Sequence, residues 1–202
     1  MPSSHANAFR YDIATADDAS AIADVYAPYV RDTFISFETE PPDADEMARR
    51  IRTIGARYPW IKASADGEVI GYAYACENRA RLAYRWSVDA AVYVRMSAQR
   101  NGVGSALYRR LFALLRAQGY VNAFAGISLP NVASVALHEA LGFVPVGVYR
   151  RIGYKLGAWR DVGWWQLVLR EPPVHPAEPT AMVSLDRSIA TAILQGRIES
   201  AG

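Results

Sequence analysis

The hydrophobic residues of this chain recur with two periods, one of about 3.6 residues and one of two residues. The helical period predicts helices after Asp17, after Pro42, over 106–118 and over 134–141. The shorter period and β-branched runs predict strands over 9–14, 60–65, 69–76, 87–94, 122–128, 143–151 and 162–169. Asp66-Gly67 joins two of these strands and is typical of a hairpin turn. This order predicts an α/β (mixed α+β) fold around one mixed sheet.

The composition changes after Glu171, where four prolines fall within residues 172–179 and predict a stiff linker. Ser184 is predicted to cap a short helix with one apolar stripe, formed by Leu185, Ile189, Ile193 and Leu194. A helix this short is not stable alone in water, so its stripe should dock on the body or on a second subunit. We therefore expect one domain over 1–171 and a linker with a helical tail over 172–202.

The length of 202 residues fits one domain, and no apolar run reaches the roughly 20 residues that span a bilayer. The segment from Met1 to Asn7 has neither a basic patch nor an apolar run typical of an export signal. We therefore expect a cytoplasmic protein that does not act at a membrane. Cys76 is the one cysteine, which excludes an internal disulfide and argues against a multi-cysteine metal site.

Positive charge is concentrated in one segment, although the net charge is only +2. Eight arginines lie between residues 79 and 116, and Asp89 is the one carboxylate among them. This segment predicts an anionic ligand, with a solvated basic face as the alternative interpretation. The overall charge is too small to indicate nucleic-acid binding.

A strand over 87–94 runs into a turn over 99–105 that contains Gly102 and Gly104, and a helix follows directly. Free backbone amides at such a helix start bind phosphate groups. The turn lacks the lysine of a nucleotide-triphosphate loop and the third glycine and acidic residue of a dinucleotide fold. A different phosphate-containing ligand is therefore indicated.

The pattern Gln99-Arg100-x-Gly102-x-Gly104 resembles the acyl-CoA pyrophosphate loop of the GCN5-related N-acetyltransferase (GNAT) superfamily. A second block, from Asn131 and Ser134 through His138 to Leu-Gly-Phe143, is similar to the downstream helix of that family. The resemblance implies a twisted, mostly antiparallel sheet flanked by helices, acetyl-CoA as cosubstrate and no metal. It also implies a set of cofactor-binding residues: Val92, Tyr93, Val94, Arg100, Asn101, Gly102, Val103, Gly104, Ser105, Asn131 and Ser134.

Further segments resemble the phosphinothricin and methionine sulfoximine/sulfone acetyltransferase branch of this superfamily, among them Phe37-Glu38-x-x-Pro41, the stretch 81–86 and Trp159-x-Asp161. The resemblance implies direct acetyl transfer, in a ternary complex, to the α-amino group of a small amino-acid analogue, and a homodimer. Two alternatives stay open. The acceptor could be another amine, such as a protein N-terminus or a polyamine, or the chain could be a non-catalytic CoA-binding regulator.

Acetyl transfer to an amine requires a base, and Asp89 is the one carboxylate between Asn78 and His138. Asp89 is therefore our candidate general base, and pairing with Arg81 or Arg85 is the alternative. The branch usually carries glutamate here, so the shorter side chain could need a bridging water. His138 is the candidate for proton transfer or substrate positioning, since imidazole titrates near neutral pH.

The remaining roles follow from the resemblance and from side-chain chemistry. A bulge at 92–94 is implied, which would free a backbone amide for the oxyanion. Guanidinium groups suit carboxylate and phosphinate oxygens, so the arginines before Asp89 are predicted to bind the acceptor. The predicted substrate-binding residues are Phe37, Arg79, Arg81, Tyr84 and Arg85.

Overall fold

The computed structural model describes residues 9–197, so Met1 to Asn7 and the outer ends of both predicted domains lie outside the described residues. The strands are β1 Arg10–Ile13, β2 Trp60–Ala65, β3 Glu68–Glu77, β4 Ser87–Val94, β5 Asn122–Leu129, β6 Val144–Lys155 and β7 Ala158–Val168. The helices are α1 Ala19–Arg31, α2 Ala44–Gly55, α3 Val103–Gln118, α4 Val132–Ala140 and α5 Arg187–Leu194.

The seven strands form one sheet in the order β1-β2-β3-β4-β5-β7-β6. Neighbouring strands are antiparallel except for β4 and β5, which are parallel. The predicted hairpin at Asp66-Gly67 joins β2 and β3. The prediction of a mixed, mostly antiparallel sheet flanked by helices is therefore confirmed.

Two hydrophobic cores cover the two faces of this sheet. The larger core packs α3 against the sheet through residues such as Leu107, Leu111 and Leu115. The second core packs α1 and α2 on the other face, around Tyr72 and Met47. The second core reaches only β2, β3 and Tyr93 of β4, so this end of the sheet is covered on both faces, whereas β6 at the other edge is largely exposed.

Helix ends match the predictions at most positions. Asp43 caps α2 by accepting a hydrogen bond from the Glu46 amide, and Gly119 ends α3 in the left-handed conformation. The start of α3 differs from the prediction. This helix begins at Val103, three residues before the predicted Ala106, because Gly102 at φ +78° already turns the chain into the helix.

The segment after Glu171 packs on the body of the protein. Residues Ala190, Ile193 and Leu194 of α5 belong to the larger core, and the Arg110 Nε donates to the Leu194 carbonyl at 2.8 Å. The predicted cap at Ser184 is wrong. Ser184 lies in a single-turn 3-10 helix, and the Asp186 side chain caps α5 by accepting from the Ser188 amide.

The last two strands form a hairpin that extends well beyond the predicted ranges. Pairing shifts by two residues between Tyr149↔Val162 and Gly153↔Arg160, so β6 carries a bulge there. Beyond the bulge the hairpin continues to Lys155, where it reaches the loop that follows α1. Lys155, near the end of the predicted domain, therefore lies next to residues 30–36 near its beginning.

Within residues 9–197, no helix is both long enough and apolar enough to cross a membrane. In the same part of the chain, no cluster of three or more His, Cys, Asp or Glu side chains is placed to hold a metal ion.

Candidate active site

A gap opens in the middle of the sheet between the two parallel strands. β4 and β5 pair only over Ser87–Asp89 and 122–124, although both strands continue for five more residues. In an antiparallel pair, the amide of every second residue points toward the partner strand. The Arg95 amide donates to the Ile70 carbonyl of β3. The amides of Ala90, Val92 and Val94 therefore point away from β3 and into the gap. Backbone donors are therefore available to a ligand carbonyl.

The implied bulge at Val92–Val94 is wrong. The pairing of β3 with β4 runs in constant register from Gly71↔Val94 to Glu77↔Val88. The free amides arise instead because β5 leaves β4 after Asp89 and turns to pair with β7 over its whole length. The separation of the parallel strands β4 and β5 therefore frees the backbone amides that the resemblance assigned to a bulge.

The predicted phosphate turn lies at the mouth of this gap. The first intrahelical bond of α3 runs from the Ala106 amide to the Gly102 carbonyl, so the three preceding helical amides have no partner within the helix. Those amides belong to Val103, Gly104 and Ser105. No atom lies within 4 Å of where a Gly102 Cβ would be, and Arg100 and Asn101 beside it are exposed.

Asp89 lies half-buried on β4, next to the end of the paired segment. The Asn78 side-chain amide donates to Asp89 Oδ1 at 2.5 Å, so its partner is neither Arg81 nor Arg85. Burial raises the pKa of Asp89 to about 6, against the lowering effects of the Asn78 hydrogen bond and the Arg79 charge. A carboxylate with this pKa can accept a proton near neutral pH and release it again.

Cys76 is the cross-strand neighbour of Asp89 on β3. Burial, together with the negative charges of Asp89 and Glu77, raises the pKa of the Cys76 thiol to about 12. The thiol is therefore protonated at neutral pH.

His138 lies on the opposite side of the gap, in α4, and is buried. Its Nδ1 is 2.7 Å from the Ser134 carbonyl oxygen, which can only accept, so Nδ1 carries the proton. Burial lowers the pKa of His138, and the neutral ring then presents the lone pair of Nε2. The Tyr108 hydroxyl lies 3.0 Å from this Nε2 and donates to it.

The other predicted residues of α4 also line the gap. The Asn131 side chain caps α4 by accepting from the Ser134 amide, and the Ser134 hydroxyl lies 3.4 Å from His138 Nδ1. Tyr93 lines the gap too, and its ring packs between Tyr26, Tyr29 and Tyr72 of the second core.

The predicted acceptor-binding arginines do not form one cluster. Arg79 stands 5.8 Å from the Trp164 ring and is close enough to influence the Asp89 charge. Arg81 and Tyr84 are exposed, and they are the N-cap and the last residue of the 3-10 helix Leu82–Tyr84. Of these three residues, Arg79 is the one with a described interaction with Asp89, and the roles of Arg81 and Tyr84 in acceptor binding stay predictions.

Arg85 is engaged elsewhere in this structure. Its Nη1 forms an ion pair with Glu178 of the tail, and its guanidinium lies 4.8 Å from the Trp86 ring. Trp86 Nε1 donates to the Ala177 carbonyl at 2.8 Å, so the tail holds both residues. An anionic acceptor would have to displace Glu178 to reach Arg85, and its predicted role in substrate binding stays a prediction.

Phe37 belongs to the loop between α1 and α2, and this loop covers the gap. Ile35 lines the gap together with β4 and β5, and the exposed Phe37 ring packs on Gly153 of β6. The Phe37 ring thus lies where a loop and a hairpin from opposite ends of the domain meet, and its role as a pocket wall stays a prediction.

Three residues near the reacting groups are absent from the sequence prediction: Asn78, Tyr108 and Trp164. Tyr108 occupies an apolar position of a helical pattern, where it is indistinguishable from a core residue. Trp164 faces Gly126 of β5, where a Cβ would come within 3.2 Å of its ring. Asn78 directly follows β3, at the strand end that lies beside Asp89 of β4. A polar residue in a loop at a strand end is the sequence signal that could have identified it.

A turn of free amides, a split between parallel strands and a half-buried carboxylate beside it match the site that the resemblance to acetyl-CoA-dependent N-acetyltransferases implies. A family model described as an acetyltransferase (GNAT) domain matches residues 12–164. The chain belongs to the GNAT family and is an N-acetyltransferase.

Relatives of known name support this membership. The chain is 42% identical over 171 residues to a phosphinothricin N-acetyltransferase of Streptomyces viridochromogenes, covering 84% of this chain and 93% of the relative. It is 33% identical to an L-methionine sulfoximine/L-methionine sulfone acetyltransferase of Salmonella typhimurium, with coverages of 76% and 91%. A crystal structure of a GNAT superfamily phosphinothricin acetyltransferase from Sinorhizobium meliloti with AcCoA superposes with a TM-score of 0.81 at 36% identity, with coverages of 88% and 97%.

Proposed function

We propose that this protein transfers the acetyl group of acetyl-CoA to the α-amino group of a small amino-acid analogue, such as phosphinothricin, methionine sulfoximine or methionine sulfone. The observation that carries the proposal is the pair of Asp89 and the free β4 amides at one end of the gap. The names of the relatives support the acceptor class.

The residues at the mouth of the gap fit coenzyme A. The amides of Val103–Ser105 and the positive end of α3 suit its diphosphate, and the open space at Gly102 lets that group approach the backbone. Arg100 adds a positive charge beside them. When bound, acetyl-CoA supplies the acetyl group as an activated thioester.

Asp89 prepares the acceptor for attack. It takes a proton from the incoming ammonium group, directly or through one water, and the neutral amine then attacks the thioester carbonyl in a ternary complex. The amides of β4 that point into the gap stabilise the negative charge on the carbonyl oxygen. The chain itself forms no covalent intermediate in this scheme.

His138 and Tyr108 transfer the second proton, which passes from the new amide nitrogen to the departing sulfur. As the carbon–sulfur bond breaks, the new amide nitrogen loses a proton, and the departing sulfur needs one. Neutral His138 can accept a proton at Nε2 through the Tyr108 hydroxyl and return it to the sulfur. The products are the N-acetylated acceptor and the free thiol, with one net proton released through Asp89.

A panel assay tests this proposal. Thiol release from acetyl-CoA is measured with phosphinothricin, methionine sulfoximine, methionine sulfone, ordinary amino acids, a polyamine and an N-terminal peptide. Turnover should be highest with phosphinothricin, methionine sulfoximine or methionine sulfone. Preference for the polyamine or the peptide would contradict the acceptor class, and intact CoA binding without any turnover would favour a regulator.

We also propose that the enzyme is a cytoplasmic homodimer that pairs through the hairpin β6–β7 rather than through the tail. Three residues of the apolar stripe, Leu185, Ile193 and Leu194, already pack on the body, and Ile189 is exposed. The edge strand β6 and its hairpin instead expose large hydrophobic side chains at 46–62%. They are Val144, Val146, Val148, Tyr149, Ile152, Tyr154, Leu156 and Trp159. An exposed apolar edge of this length is typical of an interface.

A further inference from the structure

The buried ammonium group of Lys155 lies at the end of β6 and takes no part in the chemistry proposed above. Lys155 is 8% exposed. Its Nζ donates to the backbone carbonyl oxygens of Val30, Ser36 and Glu38 at 2.6, 2.7 and 2.7 Å. These bonds use all three donors of an ammonium group and connect β6 to chain segments 117–125 residues away.

The choice of lysine at this position is informative. The chain has 22 basic residues, of which only Lys62 and Lys155 are lysines. A planar guanidinium projects its donors in one plane, whereas an ammonium can point three donors at three converging carbonyls. The three donors of a lysine ammonium group therefore match the three carbonyl oxygens around position 155.

The loop 33–38 that Lys155 binds borders the gap that His138 also lines. Ile35 lines the gap between β4 and β5. Phe37 packs on Gly153, which lies two residues before Lys155 and therefore on the same face of the strand. A Cβ at Gly153 would lie 2.2 Å from the Phe37 ring, so only glycine admits the ring there.

Other contacts hold this loop at a different point. The Glu38 carboxylate accepts two hydrogen bonds from Arg50 and one from the Tyr26 hydroxyl, which ties the far end of the loop to α1 and α2. Among the described residues, Lys155 hydrogen-bonds the loop backbone to the hairpin, and the Arg160 guanidinium adds a side-chain contact 4.1 Å from the Phe34 ring. Without Lys155, the backbone between Val30 and Glu38 would lose three hydrogen bonds to β6.

We propose that Lys155 is a positioning residue for the acceptor amine: it holds the loop 33–38 against β6, so that Ile35 closes the gap and Phe37, seated on Gly153, forms the wall of the acceptor pocket. This inference rests on the proposed function, because it assigns the loop to the acceptor side. It predicts that loosening the loop impairs acceptor binding and leaves the acetyl-CoA turn at α3 intact.

The test compares Lys155→Met with the matched control Lys62→Met, which removes the other lysine, an ion-pair partner of Asp18 far from the loop. Lys155→Met should raise the acceptor KM about tenfold or more and change the acetyl-CoA KM by less than about twofold. Lys62→Met should change neither constant by more than about twofold. Hydrogen exchange of the amides 33–38, measured without substrates, should be faster only in Lys155→Met.

A lower melting temperature with unchanged acceptor KM and unchanged exchange in the loop would overturn the inference. If Lys155→Met does not fold, Gly153→Ala provides the second test, because it keeps the ammonium and displaces only the Phe37 ring. This variant should raise the acceptor KM and leave acetyl-CoA binding unchanged, and an unaltered acceptor KM would contradict the proposed wall. If the unmodified enzyme acetylates no member of the panel, the proposed function fails, whereas the exchange measurement still decides whether Lys155 anchors the loop.

Discussion

At the scale of single residues, the environment of Asp89 connects catalysis with stability. Burial raises its pKa to about 6, and the Asn78 amide and Arg79 charge offset only part of this effect. The same desolvation that makes Asp89 a useful base therefore makes its ionised form costly in the folded state.

The activity should report this pKa directly. We expect kcat/KM to rise with pH through about 6 and then to level off, because only the carboxylate accepts a proton. Asp89→Asn should lower kcat about 100-fold or more and leave the acetyl-CoA Kd within about twofold. Steady-state kinetics and calorimetric titration measure both quantities, and unaltered turnover would remove Asp89 from the mechanism.

The same substitution should stabilise the fold at pH 8. A carboxyl group whose folded pKa exceeds its unfolded value favours folding only when protonated, so this contribution is lost as the pH rises from about 4 to about 6. Replacing it with a neutral amide should raise the free energy of unfolding at pH 8 by roughly 2 kcal/mol. The gain should vanish near pH 4, and a gain of equal size at both values would contradict the assigned cause.

Sequence reasoning at this scale identifies candidates where a residue type is rare. Asp89 was the one carboxylate in a basic segment and His138 the one histidine in a helix motif, so their chemistry was visible. Tyr108 was not visible, because its role depends on a hydrogen bond to His138, 30 residues away. The spacing of apolar residues cannot reveal a pairing of this kind.

At the scale of secondary-structure elements, the start of α3 is a site where helix stability and ligand binding favour the same charge. The unpaired amides of Val103–Ser105 stabilise a side-chain carboxylate as well as a phosphate. A carboxylate placed there should therefore strengthen the helix and compete with the ligand.

Ser105→Asp separates these two effects. The negative charge in the first turn should raise the free energy of unfolding by about 0.5 kcal/mol and weaken acetyl-CoA binding about tenfold or more. Ser105→Asn, of similar shape and without the charge, serves as the control. Thermal unfolding and calorimetric titration at two salt concentrations measure the outcome, and unchanged acetyl-CoA affinity would argue against diphosphate binding at this turn.

The boundaries of elements were predicted well where local signals set them. Asp43 and Gly119 mark helix ends through their own side chain or its absence. The start of α3 and the donors of β4 were predicted less well. The former depends on the left-handed conformation at Gly102, and the latter on the path of β5 toward β7, which no local pattern encodes.

At the scale of the whole molecule, the tail is a structural part of the enzyme body. Gln118 of α3 is buried and donates to the carbonyls of Arg57 and Thr180, so it joins the tail to the end of α2. Proline-rich composition predicted a separate linker, but composition cannot show which surface the tail packs on.

Truncation of one side chain in α5 tests this packing. Ile193 is 4% exposed, whereas Ile189 on the same helix is 39% exposed. Ile193→Ala should lower the free energy of unfolding by about 2–4 kcal/mol, and Ile189→Ala by less than about 1 kcal/mol. Denaturant unfolding measures both variants, and equal small losses would mean that the tail does not contribute to the core.

The exposed hairpin edge should determine the oligomeric state. Val148 on β6 and Val168 on β7 are 46% and 51% exposed, so each can accept a charge without direct damage to the core. Val148→Glu should weaken the dimer about 100-fold or more, and Val168→Glu should change its Kd by less than about threefold. Light scattering with size-exclusion chromatography distinguishes the two, and a monomeric unmodified enzyme would refute the interface.

The protonated, half-buried state of Cys76 has a practical consequence for anyone who assays this enzyme. A disulfide reagent that produces colour reacts with thiolates, and a thiol whose pKa is about 12 offers very little thiolate at pH 8. Because the sequence contains no second cysteine, the protein should contribute almost no background signal. Colour development can then be followed continuously, at high enzyme concentration, as a measure of coenzyme A alone.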